Sequence, residues 1–221
     1  ILLNKPNCVF VSKYLKNITT SLYPFKSRTV ISNGCSELFL KNKRKKKTKP
    51  IFVWTIRRNR GLSEILYMWN YYIYKKKPKA ELHIYGLKSI LNKKILQNYQ
   101  NRGIKFFGIV NKKVLAKKYS YSMAMIHPGY DETFCISALE GQASGLPILT
   151  FNRTALSERV VNGVNGYKVN SYKRMAKTAV KLISSKSTRT NLSNNAIRLS
   201  KKYSWEIIAF TWYNYLRKLN H

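Results

Sequence analysis

The sequence predicts a doubly wound parallel α/β sheet followed by C-terminal helices. Apolar runs of strand length alternate with amphipathic stretches of helix length, the pattern of a parallel sheet with crossover helices. Hydrophobic residues make up 44% of the 221 positions, the content of a packed domain. Gly and Pro fall at the ends of these stretches, where helices stop and strands begin.

Residues 1 to 35 read as two short strands with a helix between them. CVFVSKYL is a strand ending in Ser, and SRTVISNG (27–34) is a strand ending in an Asn-Gly turn. KNKRKKKTK (41–49) holds seven basic side chains in nine positions, a solvated linker or else an anion-binding hinge or membrane-surface patch. IFVWT (51–55) is a buried-type strand. RRNRGLSEILYMWNYYIYK follows as an amphipathic helix with Ile65, Leu66, Met68, Trp69 and Ile73 toward the core. KAELHIYG (79–86) is a strand of alternating pattern, with His83 packed inside it. A helix near 89–101, the strand IKFFG (104–108) and the polar helix NKKVLAKKYS (111–120) come next. MAMIHP (123–128) is a strand ending at Pro, and GYDET a turn whose Asp131 is able to cap the next helix. FCISALEGQAS has helical spacing at Phe134, Ile136, Ala138, Leu139 and Ala143; Gly145 and Pro147 end it before the strand PILTF. A short helix around ALSERVV, the turn VNGVNGY and a wholly helical remainder complete the chain.

The charge is far from balanced: 42 Lys plus Arg against 8 Asp plus Glu give +34. Such a chain meets anions, whether nucleic acid, acidic lipid or a phosphorylated substrate. Apolar runs fall short of the ~20 residues of a membrane span. Three cysteines, Cys8, Cys35 and Cys135, are odd in number and form no CxxC, which favours a reducing compartment over a disulfide scaffold or zinc site. The first residues, ILLNKPNCVFVSKYL, lack an initiator Met and a signal-peptide layout and read as a chain begun in mid-domain.

Against this basic background, half of the eight acids lie between Asp131 and Glu158. Asp131 is the only Asp, so no DxD metal motif exists. Glu132 falls just before or at a helix start and Glu140 about two turns inside; eight helical residues separate them by about 12 Å, too far to share a proton but suited to two ends of one ligand. A helix that follows a strand also offers free N–H groups and a positive dipole end, so the amides of Phe134, Cys135 and Ile136 are candidate phosphate contacts. A nucleophilic Cys135 would need His127 as its base.

Glu132-x7-Glu140, then G-x-x-x-G-L-P, then A-L-S-E-x-V-x-x-G-x-x-G, resembles the C-terminal nucleotide-sugar-binding domain of glycosyltransferase family 4, of the GT-B fold. The resemblance implies a Rossmann-like domain over 50–184, preceded by a remnant of the acceptor-side domain (1–40) and the basic linker (41–49), and followed by C-terminal helices (185–221). It implies a retaining, metal-independent hexosyl transfer from a nucleotide diphosphate sugar to a hydroxyl acceptor, with no further cofactor. Glu132 takes the catalytic role beside the donor sugar, and Glu140 the ribose. Arg60-Gly61 matches a Lys-Gly that holds the diphosphate, with Arg58 or Arg57 in place of a second family Arg. Thr133, Phe134, Cys135 and Ile136 line the donor, and Glu158 lies where the base and ribose are covered. A Gly is common at the Cys135 position. The expected partners are a nucleotide sugar, a glycan or lipid-linked acceptor, an anionic membrane surface and the missing N-terminal lobe, in the cytoplasm or at its membrane face. Two other readings stand beside this one: a basic nucleic-acid-binding α/β protein, and a non-catalytic remnant that binds sugar nucleotides.

Overall fold

A computed structural model describes residues 5–19, 24–45, 49–56, 61–86 and 93–219. The chain opens with a small parallel pair, β1 (Asn7–Phe10) and β2 (Ser27–Val30), joined through α1 (Lys13–Ile18). Ser12 caps α1, its hydroxyl accepting from the Leu15 N–H. Asn33-Gly34 makes no hairpin turn. The two strands run parallel, and Gly34 has a different role: a Cβ there would collide with the Trp205 indole packed on it.

After α2 (Glu37–Leu40) comes the main sheet. In chain order it holds β3 (Ile51–Thr55), β4 (Glu81–Tyr85), β5 (Ile104–Phe106), β6 (Ala124–Ile126), β7 (Ile148–Phe151) and β8 (Gly166–Val169). All pairs are parallel, in the spatial order β5-β4-β3-β6-β7-β8. The connecting helices are α3 (Leu62–Met68), α4 (Lys93–Gln100), α5 (Lys112–Tyr121), α6 (Ile136–Ala143) and α7 (Thr154–Arg159). Helices α8 (Tyr172–Ser184), α9 (Lys186–Ser200) and α10 (Trp205–Leu219) follow. This is the predicted doubly wound, Rossmann-like sheet.

The sheet is covered on both sides, and β3 shows how. Phe52 and Trp54 join one apolar layer with Leu62, Ile65 and Met175 from α3 and α8; Val53 joins the other with Phe39, Tyr119 and Leu139 from α2, α5 and α6. Fully burying such a side chain contributes about 1.5–3 kcal/mol. The predicted inner stripe Ile65, Leu66, Met68, Trp69 and Ile73 is no more than 4% exposed. Its helix widens to π geometry over Trp69–Tyr74, where the Trp69 indole N–H donates to the Arg102 carbonyl at 2.9 Å.

Two elements differ from the sequence expectation. Strand β8 falls where only a turn was expected; it is a four-residue edge strand, half-exposed beyond its first residue. Strand β4 alternates in sequence but is buried throughout, because it has strands on both sides and helices on both faces. Its polar residues are satisfied internally: Glu81 accepts from His83 Nε2 at 2.8 Å and from Lys49 and Lys105 at 3.0 Å each. Among the described residues no helix is long and apolar enough to cross a membrane. Helix α10 is amphipathic, with Ile208 buried and Ile207, Phe210, Tyr213 and Leu216 exposed.

Candidate functional site

In an open parallel sheet the ligand site lies beyond the carboxyl ends of the strands, where the strand order reverses. Here that point falls between β3 and β6. A cleft of about 530 Å³ opens there, a size suited to a small-molecule ligand. Its floor is Thr55 and Ile56 after β3, Tyr85 and Gly86 after β4, and His127 after β6. One wall is the run from Glu132 to Ser137; Ile109, Val110 and Asn33 complete it. Gly86 has φ +97, and a Cβ there would strike the Ile56 carbonyl, so only glycine lets β3 and β4 end this close together.

The loop between β6 and α6 is strained. Asp131 (φ 49) and Cys135 (φ 63) adopt left-handed backbone, as does Thr154 (φ 58) at the start of α7. These are the described non-glycine residues with positive φ; Cys135 lines the cleft, and Asp131 and Thr154 belong to the two segments that meet beside it. Such conformations cost on the order of 1–3 kcal/mol each and persist where surrounding contacts impose them. Here the contacts are visible: the Thr154 hydroxyl donates to the Gly129 carbonyl at 2.8 Å, and the Ala155 N–H donates to the Glu132 carbonyl at 3.1 Å. Asp131 is not the helix cap. The N-cap is Cys135, and the first-turn residues Ile136 and Ser137 line the cleft wall.

His127 is buried, and burial lowers its pKa to about 4, so the ring is neutral at physiological pH. The Gly129 N–H donates to Nδ1 at 3.1 Å, which places the ring proton on Nε2. That N–H faces Cys135 Sγ at 3.4 Å and a Glu132 carboxylate oxygen at 3.7 Å. Burial, then the charge of Glu132, pushes the Cys135 thiol up to about 12. A thiol held so high beside an imidazole held so low gives no thiolate, so the nucleophile reading fails. The donor atoms of His127, Glu132 and Cys135 also lie within 4.8 Å of one another, the spacing of a three-ligand metal set. The second shell does not suit a metal: a ligating imidazole gives its other ring N–H to an acceptor, whereas Nδ1 here faces a donor.

The predicted residues divide as follows. Glu132, Thr133, Phe134, Cys135 and Ile136 all line the cleft, and the Glu132 side chain is 29% exposed. Glu140 shares helix α6 but points beneath it: its side chain is 4% exposed and paired with the Lys112 ammonium at the start of α5. The helix begins only at Ile136, so Glu140 stands one turn inside it, not two, and the helical-rise estimate does not apply. Burial raises the pKa of Glu140, with Lys112 opposing. Glu158 accepts from the backbone N–H groups of Lys13 and Tyr14, and so ties α7 to the start of α1. Gly61 has φ +75 and lies against the Tyr130 ring, where a Cβ would overlap Cε2. Arg57, Arg58 and Arg60 lie outside the described residues.

Other groups were not singled out by sequence. Arg153 lies over the Tyr130 ring at 3.9 Å, and the Tyr130 hydroxyl meets that of Tyr172 at 2.9 Å, which braces the GYDET turn from below. Tyr85 lines the cleft, and its buried hydroxyl finds no partner among the described residues, as expected of a group that meets ligand or water. Arg159 is buried and donates from Nη2 to the Phe134 carbonyl at 2.7 Å. Its signal in the sequence was spacing: it falls three residues after Leu156, on the helix face that turns inward.

Residues 37–199 match the family model of the glycosyl transferases group 1. A stretch of 107 residues is 33% identical to an uncharacterized glycosyltransferase of Methanocaldococcus jannaschii, covering 47% of this chain and 27% of that protein. A stretch of 93 residues is 32% identical to the capsular polysaccharide biosynthesis glycosyltransferase CapM of Staphylococcus aureus, covering 41% of this chain and 24% of that one. The matches thus span about a quarter of the length of these curated relatives. In fold the chain is similar to sucrose-phosphate synthase of Thermosynechococcus elongatus, with a TM-score of 0.79 at 18% identity over 96% of this chain and 57% of that one. It is similar also to the pneumococcal O-GlcNAc transferase GtfA in complex with UDP and GlcNAc, with a TM-score of 0.77 at 16% identity over 96% and 45%.

Proposed function

This chain belongs to the glycosyl transferases group 1, and from that premise we propose that it carries the donor half of a family 4 enzyme of the GT-B fold, moving a hexosyl group from a nucleotide diphosphate sugar to a hydroxyl of a glycan or lipid-linked acceptor with retention and without a bound metal. One observation carries the reading: Glu132 and the residues at the head of α6 line the same cleft at the switch point of the sheet. The diphosphate rests on the amides of that helix head, where a helix dipole and unpaired N–H groups favour anions. Arg60 and Arg58 supply positive charge to the same group. As the sugar–phosphate bond breaks, charge grows on the leaving diphosphate, and fixed N–H donors stabilise it without reorganising. Glu132 holds the sugar and stabilises the positive charge that develops at its reacting carbon. Nε2 of the neutral His127 ring lies 3.7 Å from Glu132 and 3.4 Å from Cys135 Sγ, behind the sugar site. Glu140, which the family motif assigns to the ribose, reaches it only by turning its carboxylate from Lys112 into the cleft.

A thermal-shift panel of uridine and guanosine diphosphate sugars on the full-length protein tests this reading, since a ligand present at a hundred times its Kd stabilises by about 2.7 kcal/mol. Stabilisation by one donor, and product formation lost in Glu132→Gln, are the expected results. No response to any nucleotide sugar overturns the proposal; donor binding without product on any hydroxyl acceptor leaves a sugar-nucleotide-binding protein in its place.

A further inference from the structure

Arg159 has no duty in the chemistry above, yet it stands directly behind the cleft wall. It is 8% exposed, and its guanidinium lies over the rings of Phe134 at 4.2 Å and Tyr203 at 5.2 Å. Nη2 donates to the Phe134 carbonyl, while Nε and Nη1 are buried without a partner among the described residues. Among the described residues no carboxylate lies within ion-pair distance of it. A buried cation with two idle donors is a poor way to fill a core, since apolar residues of similar volume serve stability as well or better. Its geometry has another use. The Phe134–Cys135 peptide is trans, so a carbonyl held by Arg159 on one side sends the Cys135 N–H out on the opposite side. Cys135 and the first-turn residues Ile136 and Ser137 line the cleft. A cation on the carbonyl also polarises the amide, which makes its N–H a stronger donor.

Resting on the transferase reading above, we propose that Arg159 is a positioning residue for the donor diphosphate: it fixes and polarises the Phe134–Cys135 peptide so that the Cys135 N–H donates to a phosphate oxygen, and it sets a buried positive charge behind that anion. The left-handed backbone of Cys135 is then the conformation this aim requires.

The test compares the full-length wild-type protein with Arg159→Met and Arg159→Lys. Calorimetry measures the affinity for uridine diphosphate and guanosine diphosphate against uridine and guanosine. Arg159→Met is expected to weaken nucleoside diphosphate binding by about tenfold or more while nucleoside binding changes less than about twofold, as for loss of a charge-assisted contact. Arg159→Lys, which keeps the charge, is expected to restore part of the loss. Equal losses for diphosphate and nucleoside, or no loss for either, overturn the proposal. The second readout needs no ligand and survives a poorly folded Met variant: the amide ¹⁵N–¹H signal of Cys135 in nucleotide-free Arg159→Lys. It is expected to move while the amides of β4 stay in place; an unmoved Cys135 signal rejects the role. If wild type takes up no nucleoside diphosphate at all, the transferase reading fails, and the Cys135 signal still decides what Arg159 does to that peptide.

Discussion

The carboxylate of Glu140 is buried inside α6, and the ammonium that closes it, on Lys112, is mostly in solvent: the two side chains are 4% and 61% exposed. Burial disfavours the charged carboxylate, and Lys112 offsets this. Lys112→Met therefore leaves a buried carboxyl alone. Its pKa rises further, so the folded state binds its proton more readily than the unfolded chain does. The variant should lose about 3 kcal/mol at neutral pH and regain part of it in mild acid, where the proton is taken up. Urea midpoints at several pH values check this; a variant as stable as wild type at neutral pH refutes it.

Glu132→Gln keeps the shape of the cleft and removes the negative charge beside the sugar. Turnover should fall by about a hundredfold or more, the scale of losing one transition-state contact. The thermal midpoint should hardly change, because the side chain is partly exposed and outside the apolar layers. Wild-type turnover by this variant would remove Glu132 from the mechanism.

Cys135 occupies φ 63, where glycine is comfortable and a β-branched residue is not. Cys135→Gly should stay within about 1 kcal/mol of wild type and keep nucleotide binding. Cys135→Val should lose about 2 kcal/mol or more. Denaturation curves that rank Val with Gly would show that the strain is not held there.

Two buried groups predict how the protein responds to acid, in separate windows. His127 is held neutral by burial, with its pKa lowered to about 4. The unfolded chain binds that proton first, so stability falls as pH drops from about 6.5 toward 4, by about 3 kcal/mol in total. Glu81 shifts lower still: burial alone would raise it, but the bonds from His83, Lys49 and Lys105 pull it to about 2. Its contribution is present above pH ~4.5 and is lost as pH falls through that range toward 2. Stability–pH curves of His127→Gln should flatten in the upper window; those of Glu81→Gln should flatten in the lower window and steepen in the upper one, because Glu81 holds up the pKa of His83.

The sheet was legible wherever strands are buried on both faces, because IFVWT, MAMIHP and PILTF are apolar at nearly every position. Strand β8 was hidden because its residues Tyr167-Lys168-Val169 alternate behind two glycine turns and are only half-buried at the edge. The cleft wall from Glu132 to Ile136 was legible from motif and turn chemistry together. The direction of Glu140 was not, because counting helical residues from Glu132 assumes a helix that starts only after Cys135. Arg159 is hidden in the sequence because it is one basic residue among 42, and only burial separates it from the rest.

The three thiols also differ in reactivity. Cys35 and Cys135 are buried and both pushed up to about 12, whereas Cys8 is half-buried on β1. A maleimide dye added to the unmodified protein should therefore label Cys8 first, giving a single-site fluorescent reporter on the small parallel pair without any mutagenesis.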